Sequence, residues 1–297
     1  MKLSVFVVTY NQEKYIRQCL DGILMQKVDF DYEVVIGEDH GTDGTRAICE
    51  EYAAKYPQIR LLPLTENLGV AGNWRRVLLE CKGEYVAMCE GDDYWLDDNK
   101  LQKQVDFLDR NPKYSGCFHN ANKVDGNGRV LGVMHNSNMC GEYNFDNMVS
   151  RWFVPTASLL FRQNSTIISG FSELAQYSHY SADRLLLALL SNESNIAYMP
   201  CIMSVWRRNN ACLSLSSNNV DIFKGNIDLF SAMKSYFPNG RKKILSKRIF
   251  EWHGELALEY YKQGKYLNYA NELLITFFYI RTLIDFKTWI KNYLLRK

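Results

Sequence analysis

The sequence predicts an α/β fold in which helices flank a Rossmann-like, mostly parallel central sheet. In the first hundred residues, short runs rich in β-branched residues alternate with longer segments whose apolar residues recur at helical spacing. Polar or acidic loops follow the short runs, as they do at the carboxyl ends of strands in βαβ units. From about residue 222 onward the pattern is helical, which adds a helical C-terminal extension.

The composition suits a globular chain and limits its partners. The chain has 297 residues, of which 47% are hydrophobic and 23% charged, with a net charge of +2. That balance gives no reason to expect nucleic acid as a partner. Eight cysteines are scattered without a C-x-x-C pair, so we expect free thiols rather than a zinc site or disulfides. No run is long enough for a signal peptide or a spanning helix, and we expect a cytoplasmic protein.

The first half reads as four strands with helices between them. The predicted strands cover residues 3–8, 33–36, 59–62 and the run that begins at Tyr85. An amphipathic helix is predicted at about residues 12–26, with Asn11 as its N-cap. Crossovers between parallel strands are right-handed, so the carboxyl ends of these strands share one edge of the sheet.

The second half departs from this alternation. Strand-like segments at residues 114–120 and 129–133 flank Asp125-Gly126-Asn127-Gly128, a strong hairpin signal. Further strands are predicted at 157–162 and 199–206, and a leucine-rich helix begins near Asp183. We expect a first half at 1–112, a second half of the same domain at 113–215, and a helical region at 216–297. The basic, aromatic C-terminal region is expected to pack on the core; contact with an anionic membrane surface is the alternative.

The fourth strand ends in the acidic run Glu90-Gly91-Asp92-Asp93. Such a run forms either an ordinary turn or a site for a divalent cation, since Mg²⁺ prefers carboxylate and phosphate oxygens. Two other polar loops, Thr9-Tyr10-Asn11 and Glu38-Asp39, are predicted at the same edge. Three such loops together favour a nucleotide site over three separate turns. Basic groups at Arg207 and Arg208 are candidates to pair with a phosphate.

Together these motifs resemble those of the family 2 glycosyltransferases, which have the GT-A fold. The resemblance covers about residues 1–210. It rests on Val7-Val8-Thr9-Tyr10-Asn11, Glu38-Asp39-His40-Gly41-Thr42-Asp43-Gly44-Thr45, Asn67-Leu68-Gly69, Glu90-Gly91-Asp92-Asp93-Tyr94-Trp95 and Asp183. The chain departs from the family pattern at Glu38, His40, Glu90 and Ala182. The alanine before Asp183 replaces the usual acid, which leaves His179 as a second candidate base.

The resemblance implies an inverting transfer of a sugar from a nucleoside-diphosphate sugar, most simply a UDP-sugar, to a saccharide or lipid-linked acceptor. Asp93, with Asp92, would hold Mn²⁺ or Mg²⁺ on the diphosphate, and Asp183 would be the catalytic base. The expected nucleotide-sugar contacts are Thr9, Tyr10, Asn11, Asp39, Asn67, Asp92 and Arg207. The expected setting is synthesis of a surface polysaccharide at the inner face of the membrane, with the C-terminal helices as a peripheral contact.

Two other functions are considered. A sugar nucleotidyltransferase would also use a parallel sheet, a metal and acids. It would need a glycine-rich phosphate loop after the first strand, where this chain has Thr9-Tyr10-Asn11-Gln12. The other alternative is an inactive binding module on the same scaffold, against which the acids at Asp92, Asp93 and Asp183 argue.

Overall fold

The computed structural model of the chain describes residues 1–63, 66–135, 139, 141–208 and 218–283. It divides into two compact units, Met1–Cys212 and Leu213–Lys297. The first unit contains all the predicted site residues. The second unit is helical in its described part.

The first unit is built on a mixed sheet of ten described strands. Their order is β3-β2-β1-β4-β9-β6-β10-β5, with β7 paired to β6 and β8 paired to β10. The strands are β1 (Leu3–Thr9), β2 (Tyr32–Glu38), β3 (Ile59–Leu61), β4 (Tyr85–Glu90), β5 (Tyr94–Trp95), β6 (Gly116–Asp125), β7 (Val130–Val133), β8 (Glu142–Tyr143), β9 (Leu160–Arg162) and β10 (Ile196–Arg208).

Seven α-helices of the described chain connect these strands. They are α1 (Ile16–Leu24), α2 (Thr45–Lys55), α3 (Gly69–Glu80), α4 (Lys100–Arg110), α5 (Phe145–Ser150), α6 (Ser165–Leu174) and α7 (Ala182–Glu193). A short 3-10 turn at Thr156–Ser158 precedes β9.

The predicted α/β sheet is confirmed. β1 pairs in parallel with β2 and β4, and β2 pairs in parallel with β3. The predicted hairpin is also present, because β7 pairs antiparallel with β6. β9 is antiparallel to both of its neighbours, β4 and β6. The carboxyl ends of β1, β2 and β4 therefore meet at one edge, where their loops build the site.

Helices cover both faces of the sheet, which explains why β1 is buried along its whole length. On one face, Val5 and Val7 pack in a cluster with Ile16 and Leu20 of α1. On the other face the ring of Phe6 lies 5.2 Å from that of Trp74. Each such side chain contributes roughly 1.5–3 kcal/mol when fully buried. The core thus fixes the strand whose end carries the first polar loop.

Two local predictions are wrong. α1 begins at Ile16 with Tyr15 as its N-cap, so Asn11 does not cap it. Asn11 adopts φ +51°, a left-handed conformation that asparagine tolerates, and its Oδ1 accepts from the Thr42 N–H at 2.7 Å. The strand predicted at 157–162 is shorter, because Thr156–Ser158 forms a 3-10 turn and pairing begins at Leu160.

The second unit contains three described helices, α8 (Asn219–Tyr236), α9 (Lys242–Lys262) and α10 (Tyr266–Leu283). Val220, Leu256 and Tyr260 form the centre of a small apolar cluster among them. No helix in the described chain combines the length and apolarity that a membrane crossing requires. The basic residues Lys287, Lys291, Arg296 and Lys297 lie outside the described residues.

The cysteines within the described residues are free thiols, as the sequence predicts. Five of the six are buried, where they behave as small apolar side chains. Cys140 and Cys212 lie outside the described residues.

Candidate active site

The end of β1 brings two acidic loops to one place. The backbone N–H of Asp39 donates to the carbonyl of Thr9 at 3.0 Å, and that of Gly91 donates to the carbonyl of Val8 at 2.9 Å. The loop after β2 and the loop after β4 therefore lie on either side of β1. Asp39 and the acidic run share this edge of the sheet.

Gly91 lets the acidic run come close to β1. A Cβ placed on Gly91 would lie 2.5 Å from Gln12 Oε1 and 2.6 Å from Thr9 Oγ1. Real Cβ atoms are not found at such distances, so any other residue at this position would have to displace the Thr9 and Gln12 side chains. The Thr9 hydroxyl donates to Gln12 Oε1 at 2.8 Å, which holds the two side chains beneath the glycine. We call Glu90–Asp93 the acidic turn.

Asp39 is held against the loop that precedes α3. Its Oδ1 accepts from the Leu68 N–H at 2.9 Å, and its backbone carbonyl accepts from the Asn67 amide at 2.9 Å. Burial raises the pKa of Asp39, while the Leu68 N–H and the charge of Arg76 oppose that rise. Asn67 thus holds the backbone of Asp39, and the Leu68 N–H holds its carboxyl group.

Arg76 was not identified from the sequence. Its guanidinium donates from Nη2 to the Glu38 carbonyl at 2.9 Å and to Asn73 Oδ1 at 3.0 Å. It thereby lies beside Asp39 and places a positive charge there. An arginine in the middle of α3 carries no local signal for this, since the contact depends on how α3 packs on β2.

Carboxylates crowd together at the acidic turn. The pKa of Glu90 is raised to about 8, first by burial and then by the charges of Asp92 and Asp183. A hydrogen bond to Thr156, a residue that sequence reasoning missed, partly opposes this rise. Asp183 is therefore near enough to Glu90 to act on it electrostatically. The turn after β4 and the start of α7 face each other.

Asp93 is the most enclosed acid of the turn, with 2% of its surface exposed. Its Oδ1 accepts from the Arg207 N–H at 2.7 Å. Its Oδ2 is buried and has no hydrogen-bond partner among the described residues. Burial, Asp92 and Glu90 raise the pKa of Asp93 well above its usual range. Such an arrangement is costly unless a cation is shared among the carboxylates.

These residues fit a divalent cation that a ligand helps to hold. Across the described parts of the chain, no three His, Cys, Asp or Glu side chains are already grouped to bind a metal ion alone. Mg²⁺ is usually bound by one or two carboxylates together with substrate phosphates. The unpartnered Asp93 Oδ2 and the neighbouring Asp92 supply donors of that kind. The donor set suits Mg²⁺ or Mn²⁺ on a diphosphate.

Asp183 lies in the first turn of α7 and is partly buried. Its Oδ1 accepts from the Arg184 N–H at 2.8 Å, and its charge acts on Glu90. His179, the second candidate base, is exposed. The electrostatic contact with the acidic turn favours Asp183.

Arg207 is buried and donates hydrogen bonds to protein groups at the acidic turn and on α1. It is 3% exposed, and its guanidinium donates from Nε to the Asp92 carbonyl at 2.9 Å and from Nη2 to Gln18 Oε1 at 2.7 Å. The contact with the diphosphate that the sequence suggested for Arg207 stays a prediction. Arg208, by contrast, is exposed, as is Tyr10 at 47%.

Comparisons with known proteins bear on the family and the fold of the chain. The model of the family described as Glycosyl transferase family 2 matches residues 4–168. An uncharacterized protein of Mycobacterium tuberculosis (strain ATCC 25618 / H37Rv) is 36% identical over 207 residues, which are 69% of this chain and 58% of that protein. The chain thus spans less than two thirds of that relative's length. A poly(ribitol-phosphate) beta-N-acetylglucosaminyltransferase, TarS of Staphylococcus aureus, is 38% identical over 113 residues, 37% of this chain and 19% of TarS.

Solved structures share the fold at low sequence identity. The structure of residues 1–349 of S. aureus TarS in complex with UDP-GlcNAc has a TM-score of 0.62 and 17% identity, covering 92% of this chain and 90% of that one. The mannosyltransferase PcManGT from Pyrobaculum calidifontis, in complex with GDP-Man and Mn²⁺, has a TM-score of 0.56 and 18% identity, covering 92% and 74%. Both likenesses show the GT-A fold expected from the sequence. With more than half of its length matched by the family model, the chain belongs to glycosyl transferase family 2.

Proposed function

We propose that the chain transfers a sugar from a nucleoside-diphosphate sugar to an acceptor hydroxyl, with inversion at the anomeric carbon. The observation that carries this proposal is the electrostatic contact between Asp183 and Glu90. It links a candidate base in the first turn of α7, in the second half of the unit, to the acidic turn in the first half. Residues 1–112 would bind the donor and residues 113–215 the acceptor, although the end of the second range lies outside the described residues.

The donor's base would lie beside Asp39. The Asp39 carboxyl group accepts a hydrogen bond from the Leu68 N–H. It would accept a second hydrogen bond from an N–H at the edge of the base. Tyr10 is exposed one residue beyond Thr9 and offers a ring on which a base can pack. A UDP-sugar is the donor we favour, and the TarS complexes with UDP-GlcNAc and UDP support that choice.

Asp93 and Asp92 would hold Mn²⁺ or Mg²⁺ on the diphosphate of the donor. When bound, the cation supplies positive charge that stabilises the leaving diphosphate. The PcManGT structure, which contains Mn²⁺, supports divalent metal use. Asp93 would bind through Oδ2, because Oδ1 already accepts from the Arg207 N–H. That backbone contact fixes the orientation of the carboxylate before the donor arrives.

Asp183 would act as general base on the acceptor hydroxyl. It is partly exposed and near enough to Glu90 to act on it electrostatically, so it would lie close to the anomeric carbon of a donor bound at the acidic turn. Removing the proton as the oxygen attacks lets the new bond form on the face opposite the diphosphate. Positioned acid–base groups typically contribute about 10²–10⁴-fold to rate.

The acceptor would be a saccharide or lipid-linked chain in the synthesis of a surface polysaccharide. TarS, a relative named as a poly(ribitol-phosphate) beta-N-acetylglucosaminyltransferase, supports this class of product. The free thiols in the described chain support a reducing, cytoplasmic setting. Peripheral contact of the C-terminal helices with the inner face of the membrane belongs to the same proposal; exposed Tyr266 and Leu267 of α10 support it.

Two variants of the purified chain test this function. With Mn²⁺ and a panel of nucleotide sugars, the parent should release nucleoside diphosphate from at least one donor, and EDTA should abolish the release. Asp93→Asn should bind Mn²⁺ weakly and release little. Asp183→Asn should bind Mn²⁺ and donor as the parent does but lose acceptor-dependent transfer by about 10²-fold or more. Full transfer by Asp183→Asn would refute the assigned base, and pyrophosphate release from a sugar phosphate and a nucleoside triphosphate would indicate a nucleotidyltransferase instead.

A further inference from the structure

Arg207 is buried at the end of β10 and is surrounded by protein acceptors. We infer that Arg207 is a positioning residue that holds the acidic turn in its metal-binding conformation, and that it does not bind the donor phosphate. The inference rests on the proposed metal-dependent function. It concerns a residue whose sequence neighbours, Trp206 and Arg208, are each more exposed.

The contacts between Arg207 and the acidic turn involve both its backbone and its side chain. The backbone N–H donates to Asp93 Oδ1 at 2.7 Å, and the side-chain Nε donates to the Asp92 carbonyl at 2.9 Å. One residue therefore fixes the rotamer of one acid and the backbone of the other. The other oxygen of Asp93, Oδ2, is left without a hydrogen-bond partner among the described residues.

The remaining nitrogen atoms tie the turn to two distant segments. Nη2 donates to Gln18 Oε1 of α1 at 2.7 Å, and Nη1 contacts the Asp125 carbonyl at the β6–β7 hairpin at 3.4 Å. The guanidinium carbon lies 4.6 Å from the ring centroid of Tyr15 and 5.4 Å from that of Tyr94. The planar guanidinium is oriented by the two rings and directs its N–H groups at fixed angles. A lysine ammonium carries the charge but cannot reproduce that orientation.

This arrangement is unsuited to phosphate binding. Each of the three guanidinium nitrogens already donates to one protein acceptor, and only 3% of the residue is exposed. A phosphate would have to reach a guanidinium that is itself buried, and each of those hydrogen bonds that it displaced would be lost from a buried charged group, which is costly. Groups that orient a metal's carboxylate ligands typically change metal affinity by 10–100-fold when mutated.

The test measures Mn²⁺ binding by calorimetry, on the full chain, both alone and with saturating UDP. Arg207→Lys should weaken Mn²⁺ binding by tenfold or more. Gln18→Ala removes one of the bonds that hold the arginine, and should weaken Mn²⁺ binding by about threefold to tenfold. Because Gln18 Oε1 accepts from Arg207 Nη2, a shared effect of the two substitutions supports the arginine as the link.

Arg17→Ala is the matched control. Arg17 lies next to Gln18 on α1, donates to both oxygens of Glu51 at 2.9 and 2.6 Å, and is exposed. Its loss should leave Mn²⁺ affinity unchanged. Melting temperatures of all variants check that they are folded, and Gln18→Ala keeps the test valid if Arg207→Lys does not fold.

The outcomes separate this inference from the proposed function. The positioning role alone would be overturned if Arg207→Lys and Gln18→Ala both bound Mn²⁺ as tightly as the parent does, while the parent showed metal-dependent donor turnover. Loss of UDP affinity in the presence of EDTA, with Mn²⁺ binding unchanged, would instead make Arg207 a phosphate ligand. Failure of the parent to bind Mn²⁺ with or without UDP would overturn both proposals.

Discussion

Lys100 is a fully buried lysine at the start of α4, and its replacement by methionine should stabilise the chain near neutral pH. Its ammonium lies 4.0 Å from the centroid of the Trp95 ring, and Nζ has no hydrogen-bond partner among the described residues. Burial lowers the pKa of Lys100 from 10.5 to about 7, because removal from water disfavours the charged form. Lys100 interacts electrostatically with five titratable groups: Cys89, Cys117, Cys201, Asp97 and His119.

The direction of the pH effect follows from that lowered pKa. Below about pH 7 the folded and the unfolded chain both carry the proton, so the full cost of burying the charge is present. Between about pH 7 and 10.5 only the unfolded chain still carries it, so unfolding takes up a proton and the free energy of unfolding rises with pH. At no more than about 1.36 kcal/mol per pH unit, Lys100 should add on the order of 1–2 kcal/mol between about pH 7 and 8.5.

Lys100→Met removes the unpartnered amine but keeps a long, flexible side chain that can pack on Trp95. Its free energy of unfolding should exceed that of the parent by about 1–3 kcal/mol near pH 6.5, and the difference should shrink toward pH 8.5. Urea unfolding followed by tryptophan fluorescence at several pH values measures this.

Lys103→Met is the control on the same helix. Lys103 is exposed and pairs with Asp97 at 2.5 Å, so its loss should change stability by less than about 1 kcal/mol. The reasoning about Lys100 is refuted if Lys100→Met is less stable than the parent at every pH, or if its advantage does not vary with pH.

Three further substitutions have defined outcomes. Gly91→Ala places a Cβ against Thr9 and Gln12, so calorimetry should show Mn²⁺ affinity falling about tenfold in a chain that still folds; unchanged affinity would mean that the acidic turn can shift freely. Asp39→Asn should weaken UDP binding about tenfold, the loss of one charge-assisted hydrogen bond, yet leave binding of Mn²⁺ alone unaltered. A loss of Mn²⁺ binding there would contradict the separation of base and metal sites. Trp74→Ala removes the ring between Phe6 and Phe171 and should cost about 3–5 kcal/mol of stability in urea unfolding; a cost below about 1 kcal/mol would contradict the packing described for that face.

The parts of the site that follow strands could be predicted from the sequence. Strand ends, the parallel order and the right-handed crossovers together place Thr9, Asp39 and the acidic turn at one edge. The hairpin around Asp125 was equally clear, since its turn residues carry a local signal. In each case, the information lies within a few neighbouring residues.

The parts that depend on distant contacts could not be predicted. Asparagine is a good N-cap by propensity, yet the side chain of Asn11 accepts a hydrogen bond from the Thr42 N–H instead. This tertiary contact overrides the local preference. The contacts of Arg207 could not be predicted either, because its acceptors, Gln18 and the carbonyl of Asp92, are far away in sequence. No spacing rule connects such residues, and only the packed structure brings them together.

The position of a bound cation tests the account most directly. Crystals of the chain should be grown with Mn²⁺ and UDP and measured at the manganese absorption edge. The anomalous peak should place Mn²⁺ within bonding distance of the Asp93 carboxylate and of the diphosphate. The uracil should lie beside Asp39. A peak at any other site, or a nucleotide that does not contact the edge formed by Thr9, Asp39 and the acidic turn, would contradict it.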